Sequence, residues 1–227
     1  MSTNALLEAR AICRRHPDRR RCLLEDVSLQ VRPGERIALV GPSGSGKTLL
    51  MRALVLLDPV DSGEVRWQGE VVRRDLIPAF RRQAIYLHQR PAFARDTVEA
   101  ALESPFAFRA HRGRRFDRDR VLDHLRHLGR DGSFLDKRIR DLSGGEMQVA
   151  ALVRAIQLDP AMLLLDEPTA ALDAQTAAAV EELISGRVDE APQRRAFLWV
   201  SHDQEQARRM TRRSLAVEDG RLTDGPW

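Results

Sequence analysis

The sequence predicts an α/β fold, a core of strand–helix units interrupted by an all-helical lobe. Three observations carry this. Apolar runs of strand length, RIALV (36–40), AIYLHQ (84–89), MLLLDE (162–167) and AFLWVSH (196–202), read as buried strands. Stretches of helical length and spacing alternate with them, such as TLLMRALVLL (48–57) and AAAVEELISG (177–186). Over residues 90–141 the strand signals give way to apolar residues at helical spacing, broken by Pro and Gly. Strands alternating with helices imply βα units, and the helical block implies an insertion between strands.

Taken in order, residues 6–12 and DVSLQV (26–31) alternate or cluster apolar side chains as short strands do, around the polar RRHPDRRR turn (14–21). RPGE (32–35) is a turn leading into the RIALV strand. After the helix at 48–57, DPVDSGEVRWQGEVV (58–72) is turn-rich with short alternating strands. TVEAALESPF (97–106) and VLDHLRHLG (121–129) supply the helices of the lobe, and QVAALVRAIQ (148–157) returns the chain to the core. The whole of 1–227 reads as a single domain, with 1–89 and 146–227 forming the core and 90–145 the lobe.

Composition narrows the class. A chain of 227 residues, 43% hydrophobic and 31% charged, can bury one substantial core and is expected to be soluble. The longest apolar runs, ALVLL (53–57) and AMLLL (161–165), are too short to cross a bilayer, and MSTNALLEAR shows no signal-peptide pattern. Cys13 and Cys22, nine apart with no CxxC pair, read as cytosolic thiols rather than a disulfide or metal pair. Among 37 basic residues only Lys47 and Lys137 are lysines. The arginine runs at 14–21 and 109–115 read as solvated basic faces. An aromatic content of 5% leaves few platforms for base stacking, so no nucleic-acid partner is expected.

The chemistry lies at the ends of the strands. GPSGSGKT (41–48) fits G-x-x-x-x-G-K-[ST] in full, with a strand before it and a helix after it. Gly41, Gly44 and Gly46 let the backbone curl so that successive N–H groups face phosphate oxygens, and Pro42, Ser43 and Ser45 complete the loop. Lys47 brings a compact positive charge to the β- and γ-phosphates, and the Thr48 hydroxyl can join a Mg²⁺ shell. Asp166 ends an apolar strand, where a carboxylate needs a cation, and reads as a Mg²⁺ partner. Glu167 follows at the strand edge and can polarise an attacking water. His202 emerges from another apolar strand on the same edge. DLSGGEMQVA (141–150) opens a helix with Ser143, Gly144 and Gly145, whose free amides make a second place to hold an anion.

This set of motifs resembles the ATP-binding cassette (ABC) ATPases, along essentially the whole chain. GPSGSGKT matches the Walker A loop, LHQ the Q-loop with Gln89, LSGGE the signature, MLLLDE Walker B, AALD (170–173) the D-loop and VSH the switch histidine. Kinases and GTPases share the P-loop but not LSGGE upstream of Walker B. The resemblance implies a P-loop NTPase (RecA-like) core with an N-terminal antiparallel β subdomain and an inserted helical subdomain. It also implies ATP and Mg²⁺ as cofactors, ATP hydrolysis, and head-to-tail dimers. In these, Ser143, Gly144, Gly145 and Asp173 of one copy close over ATP held by the other. By the same resemblance Glu167 is the general base, His202 a γ-phosphate sensor, and Gln89 senses Mg²⁺ and γ-phosphate and passes closure to the lobe. The lobe touches a separate integral membrane permease, which places the chain in the cytoplasm, peripheral on the inner face of the membrane. PAFARDTVEAAL (91–102) and LWVSHDQEQ are similar to the ATPase subunit of bacterial iron-efflux pairs, implying metal export.

Two departures stand out. The aromatic residue that stacks on adenine in this family is missing around ICRRHP, leaving Arg14 or His16 for that contact. The signature carries Glu146 where glutamine is commoner and Val149 where arginine is frequent, with the serine and glycines intact. The other classes are ABC ATPases of DNA repair or chromosome organisation and regulatory modules with dead chemistry. The former carry long coiled coils between Walker A and signature, where this chain has about ninety residues and no sustained heptads. Intact Lys47, Asp166, Glu167 and His202 argue against the latter.

Overall fold

The computed structural model describes residues 5–16, 18 and 22–227. The chain begins with strands β1 (Leu7–Arg15), β2 (Cys22–Val31) and β3 (Arg36–Val40), followed by helix α1 (Lys47–Leu54). Next come β4 (Ser62–Trp67), β5 (Glu70–Val71), α2 (Ile77–Gln83) and β6 (Ala84–Leu87). Helices α3 (Val98–Glu103) and α4 (Arg118–His127), joined by 3-10 turns, lead to α5 (Gly144–Ile156). The chain then runs through β7 (Met162–Asp166), α6 (Ala174–Glu190), β8 (Ala196–Val200) and α7 (Gln204–Met210), and closes with β9 (Arg213–Glu218) and β10 (Arg221–Asp224).

Two sheets form. The smaller is antiparallel with order β2-β1-β4-β5; the larger has order β10-β9-β3-β8-β7-β6. In the larger sheet β9, β3, β8, β7 and β6 run parallel and only β10 is reversed. The register pairs Leu87 with Leu165 and Asp166 with Val200, so neighbouring parallel strands end on one edge. Both faces of this sheet are covered, which is why its strands are continuous apolar runs rather than alternating ones. Met162, Leu164, Leu198 and Val200 pack with Leu50, Met51 and Leu54 of α1 and with the small sheet. Leu163, Leu165, Phe197 and Trp199 face the other way, onto α5 and the lobe.

The lobe residues Val98, Leu102, Val121, Leu125, Phe134 and Leu135 join the same cluster as Val149, Leu152 and Ile156 of α5. Helix α5 thus packs against sheet and lobe at once, and a cut between 145 and 146 passes through it. Several elements differ from the sequence expectation. The first helix stops at Leu54 because Leu56 turns to φ 55, and Arg81 donates to the Val55 and Leu56 carbonyls there. The strand expected over 84–89 ends at Leu87, leaving Gln89 in a loop. The helix expected over 97–106 is capped by Thr97 and passes into a 3-10 turn at Ser104, ahead of Pro105. Helices α2 and α7 and the β9–β10 hairpin had no counterpart in the sequence reading; both helices are seven residues long and arginine-bearing.

Candidate functional site

The glycine-rich loop leaves β3 at Val40 and enters α1 at Lys47. Gly41 has φ 143, and a Cβ there would lie 2.2 Å from the Val217 carbonyl oxygen, so only glycine fits. Gly46, at φ 109, precedes α1 with no side-chain cap and no acidic residue in the first turn. The opening amides of α1 are therefore free of side-chain acceptors, the condition for holding an anion. The buried Ser45 hydroxyl likewise has no hydrogen-bond partner among the described residues. Lys47 is buried at 8% exposure and donates to the Gly41 and Pro42 carbonyls, both at 2.8 Å. Burial pushes its ammonium below the usual lysine range, opposed by the Asp166 and Glu167 carboxylates.

Asp166, at the end of β7, is 3% exposed. One of its oxygens, Oδ2, accepts from the Thr48 hydroxyl at 2.7 Å and from the Tyr86 phenol at 2.8 Å. Burial pushes the Tyr86 phenol well above its ordinary range, and Asp166 adds to the shift. A hydroxyl and one carboxylate are hard oxygen donors of the kind Mg²⁺ takes when phosphates complete its shell. No cluster of three or more His, Cys, Asp or Glu suited to a metal is found among the described residues.

Glu167 takes a left-handed backbone, φ 51, and its amide donates to the Val200 carbonyl at 3.0 Å. Its carboxylate accepts from Gln89 Nε2 at 2.6 Å and lies 2.6 Å from His202 Nε2. Three residues from the loops after three different strands thus meet at one carboxylate. Gln89 sits on Glu167 rather than on Asp166 or Thr48. A cleft of about 560 Å³ is lined by residues 43–48 together with Gln89, Asp166, Glu167 and His202. Its far wall is Cys22, Leu23, Asp219 and Gly220. Arg14 and His16, the expected adenine stackers, are not among its walls. Arg14 donates to the Pro59 carbonyl and His16 pairs with Asp18. Pro17 and residues 19–21 of the same turn lie outside the described residues.

The second anion grip stands apart from this cleft. Ser143 caps α5 through a reciprocal box in which its hydroxyl accepts from the Glu146 amide at 3.2 Å and the Glu146 carboxylate accepts from its amide at 2.9 Å. A Cβ on Gly145 would lie 2.7 Å from the Ala171 carbonyl oxygen, so the segment 170–173 packs directly on this helix start. Asp173 caps α6 by accepting from the Thr176 amide and hydroxyl. Neither residues 143–145 nor Asp173 line the cleft that holds Lys47.

The sequence profile of the ABC transporter family matches residues 24–170. The chain belongs to this family. It is an ABC-type ATP-binding cassette, an ATPase, of P-loop α/β fold. The cassette is 37% identical over 184 residues to the probable iron export ATP-binding protein FetA of Escherichia coli K12, covering 81% of this chain and 80% of that one. It is also 36% identical over 221 residues to a probable anion import ATP-binding protein of Haloferax volcanii, covering 90% and 75%. Among solved structures it superposes at TM-score 0.84 and 25% identity on a dimeric, post-hydrolysis ATP-binding cassette, MJ0796, bound to ADP and Pi. That match covers 96% of the cassette and 98% of the solved chain.

Two residues of the cassette were missed by motif reading. Gln148, 4% exposed on α5, donates to the Glu167 carbonyl at 3.1 Å and the Gln89 carbonyl at 3.4 Å, and accepts from the Ala171 amide at 3.0 Å. One buried amide therefore spans the backbones of the Q-loop, Walker B and the D-loop. Its signal was a glutamine among the apolar residues of a core helix. Tyr86 is the only tyrosine of the chain, set in an otherwise apolar strand.

Proposed function

We propose that the chain binds and hydrolyses ATP to energise a separate membrane permease, working as a head-to-tail pair with nucleotide between the copies. The observation that carries this reading is the separation of its two anion grips. The P-loop lines the cleft, whereas Ser143, Gly144 and Gly145 open a helix outside it. A pocket completed by a second copy gives both grips one phosphate to share.

In this reading the amides of residues 41–48 and Lys47 hold the β- and γ-phosphates, and Thr48 and Asp166 hold Mg²⁺. The ion's contribution is to neutralise charge on the phosphate oxygens. Glu167, one residue beyond Asp166, polarises the attacking water. Gln89 and His202 both hold the Glu167 carboxylate. In the same reading His202 senses the γ-phosphate, and Gln89 senses Mg²⁺ and γ-phosphate and passes closure to the lobe over 90–145. Asp173 lies across the shared interface.

No helix among the described residues is long and apolar enough to cross a membrane. In this reading the chain sits at the inner face of the membrane, attached through the permease. Metal export is the finer reading of the cargo, supported by the identity to FetA. The equally similar anion-import relative supports selectivity residing in the permease.

The test is Glu167→Gln with ATP. Binding survives while water activation fails, so size-exclusion chromatography with light scattering is expected to show twice the monomer mass. A monomer at saturating ATP would overturn the shared-site reading.

A further inference from the structure

We propose that Lys137 is a positioning residue of the signature: it cancels the charge of Glu146 so that the start of α5 can accept a phosphate. The inference rests on the head-to-tail reading above. An anion is drawn to the start of α5 by its free amides and by the positive end of the helix dipole. Glu146, at the third helical position, places a full negative charge within the same turn. Its carboxyl is held near pKa 2, chiefly by the Lys137 hydrogen bond and the Ser143 amide, so it is ionised at neutral pH.

The capping box does not need that charge. It needs an oxygen acceptor at this position, and a glutamine amide supplies one as well as a carboxylate does. The cap uses Oε2, which accepts from the Ser143 amide at 2.9 Å. The other oxygen, Oε1, takes the Lys137 ammonium at 2.6 Å. A guanidinium fork favours both oxygens of a carboxylate, and here one is already taken. A compact ammonium suits the single free oxygen, in a chain that uses arginine almost everywhere else.

The ammonium is delivered by the lobe. The Lys137 carbonyl accepts from the Val98 amide at the start of α3 at 3.0 Å, and its Nζ lies 5.9 Å from the Phe134 ring centre. At 47% side-chain exposure this pair adds little to folding stability. Its consequence is local: without the ammonium, an anion acceptor carries an uncompensated carboxylate.

The experiment uses Glu167→Gln chains and reads the ATP concentration that gives half-maximal dimer by light scattering. Adding Lys137→Met is expected to raise that concentration about tenfold, the scale of one charge pair at a partly exposed site. Monomer affinity for a fluorescent ATP analogue and the Tm stay at parental values. Lys137→Arg, which keeps the charge, stays within about threefold of the parent. Adding Glu146→Gln to Lys137→Met restores the parental value within about threefold, because cap and neutrality are both regained. An unshifted Lys137→Met dimer overturns the proposal. So does a shift that Glu146→Gln fails to reverse, since the ammonium would then act on the phosphate itself. A parent that never dimerises refutes the head-to-tail reading and this inference with it, an outcome visible before Lys137 is touched.

Discussion

Gln148→Leu removes a buried amide of similar volume that holds the backbones of Gln89, Glu167 and Ala171 together. Two of its bonds, to the Glu167 carbonyl at 3.1 Å and from the Ala171 amide at 3.0 Å, are well formed; the third, at 3.4 Å, is long and adds little. Each of these two part-buried backbone groups, left unpaired, costs about 1–2 kcal/mol, the lower part of the range for a buried group. Leucine's extra apolar burial offsets about 1 kcal/mol. The net loss is then about 1–3 kcal/mol, which for a chain of this size lowers Tm by about 3–9 °C. Glu167 takes the left-handed backbone that Gln148 braces. Turnover is therefore expected to fall further than ATP affinity, because the P-loop is untouched. Calorimetry and steady-state phosphate release measure the two effects. Gln148→Glu keeps an acceptor for the Ala171 amide but loses both donors and buries a charge, so its Tm falls below that of the leucine variant. A leucine variant with Tm within about 2 °C of the parent and unchanged turnover would refute the bracing role.

Tyr86→Phe deletes one donor to the buried Asp166 and keeps the ring. The Mg²⁺ concentration for half-maximal nucleotide binding is expected to rise about tenfold, the scale of one hydrogen bond to a charged group. Metal-free nucleotide affinity stays the same, and an equal loss with and without metal would contradict the assignment. His124 titrates near 4 in the fold, lowered mainly by burial and further by Arg120 and Arg187. The unfolded chain takes that proton near pH 6.5. The stabilisation is complete above that value and is lost as pH falls through the window to about 4. His124→Leu should flatten the Tm-versus-pH slope between those limits, and parallel slopes for variant and parent would contradict it.

The motifs were legible because each couples a local chemical demand to a local pattern. Residues 41–48 need glycines for close approach, and Gly41 against Val217 shows how close that approach is. Asp166, Glu167 and His202 end apolar strands, so their placement on one sheet edge followed from the βα pattern. What no local pattern holds is the order of neighbouring strands. The meeting of Gln89, Glu167 and His202 depends on β8-β7-β6 adjacency, which only the assembled sheet reveals. Tyr86 and Gln148 were hidden inside runs whose apolar periodicity dominated the reading. The β9–β10 hairpin was missed as well, yet its turn braces the cleft: the Gly220 amide donates to the Ser45 carbonyl at 3.3 Å. A Cβ on Gly220 would lie 2.5 Å from the Leu23 carbonyl oxygen. Such contacts join residues almost two hundred positions apart and leave no periodic trace.

The most direct measurement is an experimental structure of the Glu167→Gln chain with ATP and Mg²⁺. The γ-phosphate held by Lys47 and the P-loop is predicted to lie about 3 Å from the amides and hydroxyl of residues 143–145 of a second copy. A γ-phosphate touched only by its own chain, with both signature helices facing solvent, would contradict the account.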